Sequence, residues 1–318
     1  MVLSEFEIIK RFFQRDDARA DVALGVGDDA ACLRPPVGAE LVVATDTLVN
    51  GVHFPNATSA RDIGFKSLAV NLSDIAAMGA RPAWATLALT VPQASEPWLA
   101  EFANGFFELA TRHDVALVGG DLTRGSLSIT VQLIGTVASG RAVTRGGGKV
   151  GDDVYVTGTL GDARLALEVI GGRITPSKIH DEFLRKRLNR PCARVAVGCL
   201  LTGIASCAID VSDGLAADLK HLLESSGVGM ELIPDALPRS AALSAVLSER
   251  ESLAAALAGG DDYELCFSAP VGQRQHVTAI ALKCACPIAR IGVLIEGNGI
   301  RYANGKRLEA ADEGYRHF

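Results

Sequence analysis

The fold is decided by residues 60–91, which read ARDIGFKSLAVNLSDIAAMGARPAWATLALTV. The first part has helical spacing over residues 60–78, with Ser59 as the predicted N-cap and Gly79 as the predicted C-terminal stop. A strand-like apolar run ends the segment. Asp74 lies among apolar neighbours in the helix, where a carboxylate is costly unless it is paired or bound to a metal ion. The segment therefore predicts a helix followed by a strand, with an acidic group close to the core.

Outward from this segment, the two halves of the chain each mix strands and helices. The first half has strand-like runs at 40–48, 115–118 and 127–138 and a helical stretch at 98–113. Five glycines among the fourteen residues 140–153 then indicate a loop and a domain boundary. We predict an α+β protein with two α/β sandwich domains, residues 1–140 and 141–318.

Composition limits the function classes that the chain can serve. The net charge of −6 and the absence of a block of Lys and Arg argue against a nucleic-acid or anionic-membrane partner. No run of about 18 uncharged apolar residues occurs, so we expect a cytoplasmic location. Seven scattered cysteines predict reduced thiols, and the C-x-C pair Cys284 and Cys286 is better explained by two structural thiols than by a soft-metal site.

Short acidic signatures recur at the ends of the predicted elements. They are GDD at 27–29, TDT at 45–47, NLSD at 71–74, GGD at 119–121, DVSDG at 210–214 and GGDDYE at 259–264. Each one alone is well explained as a turn or a helix cap. Together they gather many carboxylates with few nearby basic residues, and Mg²⁺ prefers carboxylate, water and phosphate oxygens. The set therefore predicts a site for a magnesium–nucleotide complex.

Two common phosphate-binding motifs do not account for this site. The segment GGGK at 146–149 lacks both the upstream glycine and the following hydroxyl residue of a P-loop. The segment GVGDDA at 25–30 fits a dinucleotide fingerprint formally, but it would turn two aspartates toward a pyrophosphate and no clear βαβ unit follows. Both alternatives are disfavoured.

The ordered motifs resemble those of a known family. They are SEFEII, VGDDAA, ATDTLVNGVHF, KSLAVNLSDIAAMGARPAW, GGDLTRG, TRGGGKVGDDVYVTGTLGDA, AIDVSDGL, GGDDYELCF and the closing GYRHF. From end to end the chain resembles the bacterial thiamine-monophosphate kinases, within the superfamily of aminoimidazole ribonucleotide synthetase and selenophosphate synthetase. The GVHF, the DDYEL block and the aromatic C-terminal end distinguish these kinases from their relatives.

The resemblance implies ATP-dependent phosphorylation of thiamine monophosphate to thiamine diphosphate by a homodimer with several Mg²⁺ ions. The N-terminal domain would bind ATP and metal and dimerise through its sheet, and a C-terminal domain of the aminoimidazole ribonucleotide synthetase type would complete the ATP and substrate sites. The implied metal ligands are Asp29, Thr45, Asp46, Asp74, Asp121, Asp210 and Asp213. The implied nucleotide contacts are Gly120, Asp121, Arg145 and Ser212, and the implied thiamine phosphate contacts are His53, Asp261 and Tyr315.

Three positions depart from the family pattern. Asp261 stands where the family usually has Glu, which shortens the reach of the carboxylate by one methylene. Ala44 replaces a common hydroxyl residue before the TD pair, and Asn50 replaces a frequent acidic or small residue before GVHF. The sequence leaves open which aspartate of the doublets 28–29 and 261–262 faces a ligand.

The chemistry of this reaction requires no general base. A phosphate monoester is mostly dianionic at neutral pH, because its second ionisation lies near about pH 6. The obstacle is the approach of two anions, so we expect direct in-line transfer assisted by Mg²⁺. Two alternatives stay open: another ATP-dependent synthetase of the same superfamily, and a non-catalytic sensor of Mg-ATP.

Overall fold

The computed structural model describes residues 4–15, 19–302 and 308. By its internal contacts the chain divides into two compact units. Unit 1 consists of Met1–Ile75 and Ala80–Gly140, and unit 2 consists of Ala76–Gly79 and Arg141–Phe318. Sheets and helices occur in both units, so the predicted α+β class is confirmed. Within the described ranges, no helix combines the length and the apolar character needed to cross a membrane.

Unit 1 contains a four-stranded sheet and a small two-stranded sheet. Its helices are α1 (Glu5–Ile8), which continues into a π-helical turn at Ile9–Phe13, α2 (Ala60–Ala77), whose last two residues belong to unit 2, and α3 (Glu96–Arg112). Its strands are β1 (Val22–Leu24), β2 (Cys32–Leu33), β3 (Ala39–Val49), β4 (Arg81–Val91), β5 (Ala116–Arg124) and β6 (Ser128–Ala138). The larger sheet has the order β3-β6-β4-β5, in which only β4 and β5 run parallel.

The two faces of the larger sheet differ in burial. On β6 the alternate residues Ile129, Val131 and Leu133 are fully buried, on the face where α2 packs. On the other face, Leu41 and Val43 of β3 are 52% and 55% exposed. The sheet is therefore covered on one face and open on the other within the described chain.

Two glycines let α2 and α3 cross at close range. A Cβ atom on Gly64 of α2 would overlap the carbonyl oxygen of Phe102 in α3. A Cβ atom on Gly105 of α3 would likewise overlap the carbonyl oxygen of Arg61 in α2. Because neither glycine has a side chain, the two backbones can touch, and Phe102 is completely buried at the crossing.

The predicted ends of α2 are confirmed. The hydroxyl oxygen of Ser59 accepts a hydrogen bond from the backbone N–H of Asp62 at 3.2 Å, and the same hydroxyl donates to the Asp62 carboxylate at 2.8 Å. Gly79 follows the helix with φ +68, the left-handed conformation of a C-terminal stop.

Unit 2 contains a six-stranded sheet with helices around it. Its helices are α4 (Asp162–Ile170), α5 (Lys178–Asn189), α6 (Val195–Leu201), α7 (Leu215–Ser226), α8 (Ala241–Val246), α9 (Glu249–Ala258) and α10 (Arg274–Lys283), with short 3₁₀ turns at Pro234–Ala236 and Val271–Gln273. Its strands are β7 (Asp153–Thr157), β8 (Cys207–Val211), β9 (Gly229–Leu232), β10 (Glu264–Ala269), β11 (Ile288–Ile295) and β12 (Gly299–Tyr302).

The sheet of unit 2 has the order β12-β9-β11-β7-β10-β8. All of its pairs are antiparallel except that between β12 and β9. Every residue of β7, β8 and β10 is buried, including one acidic residue in each strand, Asp153, Asp210 and Glu264. The dipeptide Asn304-Gly305, which is typical of a hairpin turn, lies outside the described residues. All seven cysteines are free thiols, as predicted.

Candidate active site

The predicted ligands on the sheet of unit 1 lie on opposite faces. Asp46 of β3 pairs with Val131 of β6, so it shares the buried face of the sheet. Thr45 and Thr47 flank Asp46 and point to the open face, because side chains alternate along a strand. Asp121 of β5 lies in the same row across the sheet as Thr47, because it pairs with Ala88 of β4, which pairs with Thr130 of β6, the partner of Thr47. Asp121 therefore lies on the open face together with Thr45, and Asp46 does not.

Asp46 comes instead to the side of the sheet where α2 packs. The side-chain oxygen of Asn71 accepts a hydrogen bond from the backbone N–H of Asp46 at 3.1 Å, and the Asn71 amide donates to the Ser67 carbonyl at 3.2 Å. Asp74 follows Asn71 by three residues and so lies on the same helix face. The structure thus brings the two predicted ligands Asp46 and Asp74 into one region between β3 and α2.

His53 is held in a turn directly after β3. Its Nδ1 atom accepts a hydrogen bond from the backbone N–H of Val49 at 2.9 Å. This contact requires an unprotonated Nδ1, so a neutral His53 carries its proton on Nε2. The ammonium group of Lys66, whose residue is 1% exposed, donates to the His53 carbonyl at 3.2 Å. Lys66 therefore supports the turn that presents the imidazole.

The doublet at residues 28–29 is exposed, and its two carboxylates have different surroundings. The Asp28 carboxylate accepts a hydrogen bond from the backbone N–H of Asp29 at 2.8 Å, so it is turned back onto its own chain. Gly27 precedes the doublet with φ +122, a conformation that favours glycine. Of the two carboxylates, only that of Asp28 is engaged in this local hydrogen bond.

In unit 2 the predicted acidic residues lie at the end of β8 and in the turn before α7. Asp210 is 6% exposed, and Ser212 and Asp213 form the turn. One carboxylate oxygen of Asp218 accepts hydrogen bonds from the backbone N–H groups of Ser212 at 3.0 Å, Asp213 at 3.1 Å and Gly214 at 3.2 Å. The turn is thus folded around Asp218.

Asp218 was not among the residues predicted from the sequence. Burial, followed by the negative charges of Asp210 and Asp213, raises the pKa of Asp218 to about 8, although the N–H groups of Asp213 and Gly214 oppose the shift. The available signal was an aspartate in the first turn of a helix that directly follows an acidic motif. The carboxyl groups of Asp210, Asp213 and Asp218 therefore lie close together at this strand end.

The loop at residues 259–264 lies directly against this acidic turn. The backbone N–H of Asp261 donates to the Ser212 carbonyl, and that of Tyr263 donates to the Val211 carbonyl, both at 2.8 Å. Asp262 is 2% exposed, whereas Asp261 is partly exposed. Asp261 is thus the member of the doublet that a ligand can reach, which the sequence had left open.

A buried ionic network lies beneath this loop. The carboxylate of Glu264 is completely buried and accepts hydrogen bonds from Thr157 Oγ1 at 2.6 Å, from Arg194 Nε at 2.6 Å and Nη2 at 2.7 Å, and from Arg187 Nη2 at 3.0 Å. The two bonds from Arg194 form a bidentate pair. Glu264 therefore anchors the start of β10, immediately after the loop.

Two further carboxyl groups belong to the same network. Asp162 accepts a hydrogen bond from the Thr159 hydroxyl at 2.6 Å and lies 3.4 Å from Arg187 Nε. Asp262 accepts one from the Gly161 N–H at 2.8 Å through Oδ2, and its Oδ1 has no hydrogen-bond partner. Burial raises the pKa of Asp262 well above its ordinary value. When Asp262 is neutral, the negative charges of Asp162 and Glu264 balance the positive charges of Arg187 and Arg194.

The remaining predicted residues are Gly120, Arg145 and Tyr315. Gly120 is required by packing, because a Cβ atom there would overlap the Leu87 carbonyl oxygen of β4. Arg145 is exposed, and its carbonyl accepts a hydrogen bond from the Ser226 hydroxyl at 3.2 Å. Tyr315 lies outside the described residues. Among the side chains that are described, no three His, Cys, Asp or Glu residues are grouped to hold a metal ion. The ligand set, which draws on both units, stays a prediction.

Comparison with known proteins decides the family. A family model of the AIR synthase related protein, N-terminal domain, matches residues 27–137, and one of the AIR synthase related protein, C-terminal domain, matches residues 149–303. The thiamine-monophosphate kinase of Salmonella typhimurium is 44% identical over 324 residues, which cover 100% of this chain and 99% of the relative. The chain belongs to the thiamine-monophosphate kinase family. The resemblance seen in the motifs is confirmed.

Solved structures of this family share the fold over nearly the whole chain. The thiamine-monophosphate kinase of Stenotrophomonas maltophilia K279a is 48% identical with a TM-score of 0.90, covering 97% of this chain and 99% of that one. A structure of AaThiL complexed with AMPPCP and TMP is 32% identical with a TM-score of 0.79, and the match covers 92% of both chains. The fold of unit 1 and unit 2 is thus that of the thiamine-monophosphate kinases.

The family matches cover most of the predicted site residues. Those from Asp29 to Asp121 fall within the N-terminal domain match, and those from Asp210 to Asp261 fall within the C-terminal one. Arg145 lies between the two matches, in the glycine-rich loop.

Proposed function

We propose that this chain is a kinase that transfers the terminal phosphoryl group of ATP to thiamine monophosphate and forms thiamine diphosphate. One observation carries the proposal: the chain matches thiamine-monophosphate kinases over its full length, and a 32% identical relative has been solved with both AMPPCP and TMP. An ATP analogue and a thiamine monophosphate bound together are what a direct transfer between them requires.

For this reaction the protein must bind and orient two anions, ATP and the phosphate group of thiamine monophosphate. The acceptor phosphate is already mostly dianionic at neutral pH, so no side chain needs to remove a proton from it. Arg145 binds phosphate oxygens through charge-assisted hydrogen bonds, and Ser212 and Gly120 contact the nucleotide. His53, Asp261 and Tyr315 orient the thiamine part. Transfer is in line and direct, without a covalent intermediate on the enzyme.

Mg²⁺ fits the oxygen donors of this site. We assign it to the carboxylates of Asp29, Asp46, Asp74, Asp121, Asp210 and Asp213 and to Thr45. Hard cations prefer such oxygen ligands, and the negative charges of Asp210 and Asp213, which add to burial in raising the pKa of Asp218, favour a cation there. When bound, Mg²⁺ neutralises charge between the two phosphate groups.

The active protein is a cytoplasmic homodimer that forms through the open face of the unit 1 sheet. Leu41 and Val43 expose apolar surface there, on an edge strand. Light scattering after gel filtration should give twice the chain mass of 33.3 kDa. Val43→Lys should yield monomers. Val150→Lys, at a position of unit 2 with 54% exposure, is the matched control and should stay dimeric. A monomeric wild type contradicts the dimer.

The function is tested by following both products. Purified protein is incubated with ATP and thiamine monophosphate, with Mg²⁺ or with a chelator, and ADP and thiamine diphosphate are measured separately. The proposal expects equal amounts of both products, only when Mg²⁺ and thiamine monophosphate are present. ADP release that does not depend on thiamine monophosphate would favour another synthetase of the superfamily, and nucleotide binding without turnover would favour a sensor.

One substitution tests the metal assignment in unit 2. Asp210→Asn keeps the shape of the side chain but removes its charge, and we expect kcat to fall on the order of 100-fold or more. Asp235→Asn, an exposed aspartate of the same unit, should leave activity unchanged. Circular dichroism of both variants checks that the fold is intact. Near-normal turnover by Asp210→Asn contradicts the assignment.

A further inference from the structure

The loop that carries Asp261 has an unusual backbone. Asp261 has φ +66 and Tyr263 has φ +51, so two residues that are not glycine adopt the left-handed conformation within three positions. Such a conformation is unfavourable for a bulky residue and persists only where its surroundings fix it. Strain of this kind concentrates at functional sites.

Contacts on both sides of the loop fix this conformation. The N–H groups of Asp261 and Tyr263 bond to the carbonyls of Ser212 and Val211, on the neighbouring strand end. A Cβ atom on Gly260 would lie 2.6 Å from the Ser212 carbonyl oxygen, which shows how closely the two backbones approach. Asp262 and Glu264 tie the loop to the buried network below.

Within this frame, the hydroxyl of Tyr263 donates a hydrogen bond to Asp261 Oδ1 at 3.1 Å. The Tyr263 residue is only 9% exposed, so its ring cannot follow a moving carboxylate. The bond therefore restricts rotation of the Asp261 carboxyl group and fixes the direction in which its oxygens accept hydrogen bonds. A rigid tyrosine thus sets the direction of a partly exposed carboxylate.

We infer that Tyr263 is a positioning residue that sets the affinity of the site for the thiamine part of the acceptor; the inference rests on the proposed function. A carboxylate suits the positive charge and N–H donors of thiamine and repels phosphate groups. Holding Asp261 in one direction reduces the ordering needed when thiamine monophosphate binds. ATP binding gains nothing from this contact.

Tyr263→Phe removes the hydroxyl and keeps the ring. Steady-state kinetics, with each substrate varied in turn, should show the KM for thiamine monophosphate raised about five- to tenfold, less than for a lost direct hydrogen bond to a charged group, because Tyr263 acts through Asp261. The KM for ATP and kcat should stay within about twofold of wild type. Tyr155→Phe is the matched control: Tyr155 is 5% exposed and also donates to an aspartate two residues before it, Asp153 Oδ2 at 3.3 Å. It should change neither KM.

A double-mutant cycle with Asp261→Asn separates positioning from general loosening of the loop. Asp261→Asn alone should raise the same KM, and adding Tyr263→Phe to it should cause little further change, because the tyrosine acts through the aspartate. Equal losses for both substrates, additive effects, or a normal KM in Tyr263→Phe overturn the inference. If Tyr263→Phe does not fold, a normal KM in Asp261→Asn overturns it. A wild type without thiamine monophosphate-dependent turnover removes the proposed function and the inference together.

Discussion

Replacing Glu264 by Gln should strongly destabilise unit 2. The side chain keeps its size, but it loses its charge at a position that is 0% exposed. Four hydrogen bonds reach the carboxylate, three of them from the guanidinium groups of Arg187 and Arg194. In the variant, the amide NH₂ would face guanidinium N–H donors, and donors do not bond to one another.

The size of the effect follows from this environment. Removing one partner of a buried ion pair costs about 3–5 kcal/mol, because the remaining charges are left without compensation. Arg187 and Arg194 have 14% and 16% side-chain exposure, so water relieves little of that cost. For a unit of this size, about 2–4 °C of melting temperature is lost per kcal/mol, so a decrease of about 6–20 °C is expected.

Thermal unfolding and urea unfolding, both followed by far-ultraviolet circular dichroism, measure the fall in melting temperature and in unfolding free energy. Trp84 and Trp98 both lie in unit 1, so their fluorescence reports that unit and serves as an internal reference. The control is Glu249→Gln, whose side chain is 79% exposed in its pair with Arg239 and which should lose at most about 1 kcal/mol. A loss in Glu264→Gln no larger than in this control would refute the reasoning.

Three further predictions concern individual contacts. Burial raises the pKa of Asp262, so the folded protein keeps a proton that the unfolded chain releases above about pH 4, and the free energy of unfolding falls as pH rises toward the folded pKa. Asp262→Asn should flatten this pH dependence, measured by urea unfolding between about pH 5 and pH 9. An unchanged slope contradicts the prediction. Gly158→Ala, at φ +60, would place a methyl group against the buried Glu264 carboxylate. In thermal unfolding it should cost at least about 2 kcal/mol more than Gly172→Ala, at φ +72 with open space around it. Equal costs would mean that backbone strain alone acts. Asn71→Ala leaves the N–H of Asp46 without its partner and should lower the stability of unit 1 by about 1–3 kcal/mol, measured by tryptophan fluorescence, whereas an unchanged midpoint would mean that water replaces the amide.

Helix ends and the boundaries between elements could be predicted from residue types that are close in sequence. The boundaries of α2 follow from a hydroxyl at Ser59 and a left-handed glycine at Gly79, both readable from residue type. The acidic motif at 210–214 was correctly placed at an element end, because an apolar run stops there and a helical pattern begins. The α+β class followed from the same alternation of patterns.

Features that depend on partners distant in sequence were not predictable. The opposite faces of Asp46 and Asp121 depend on the strand order and on a bulge opposite Ala85 and Thr86, where one extra residue in β5 reverses the faces that follow. The difference between Asp261 and Asp262 depends on two left-handed residues that no residue type announces. The burial of Glu264 beside Arg187 of α5 and Arg194, which directly precedes α6, likewise depends on residues distant in sequence.

The register between β8 and β10 constrains how the loop that carries Asp261 can move. Because Glu264 is paired with Val211, and the loop before it is bonded to Ser212, the acidic turn and the loop of Asp261 share one fixed spacing. Neither segment can move outward without breaking the backbone hydrogen bonds to the other. With the backbone spacing fixed, the reach of the carboxylate at position 261 depends on side-chain length, and exchanging aspartate for glutamate changes it by one carbon.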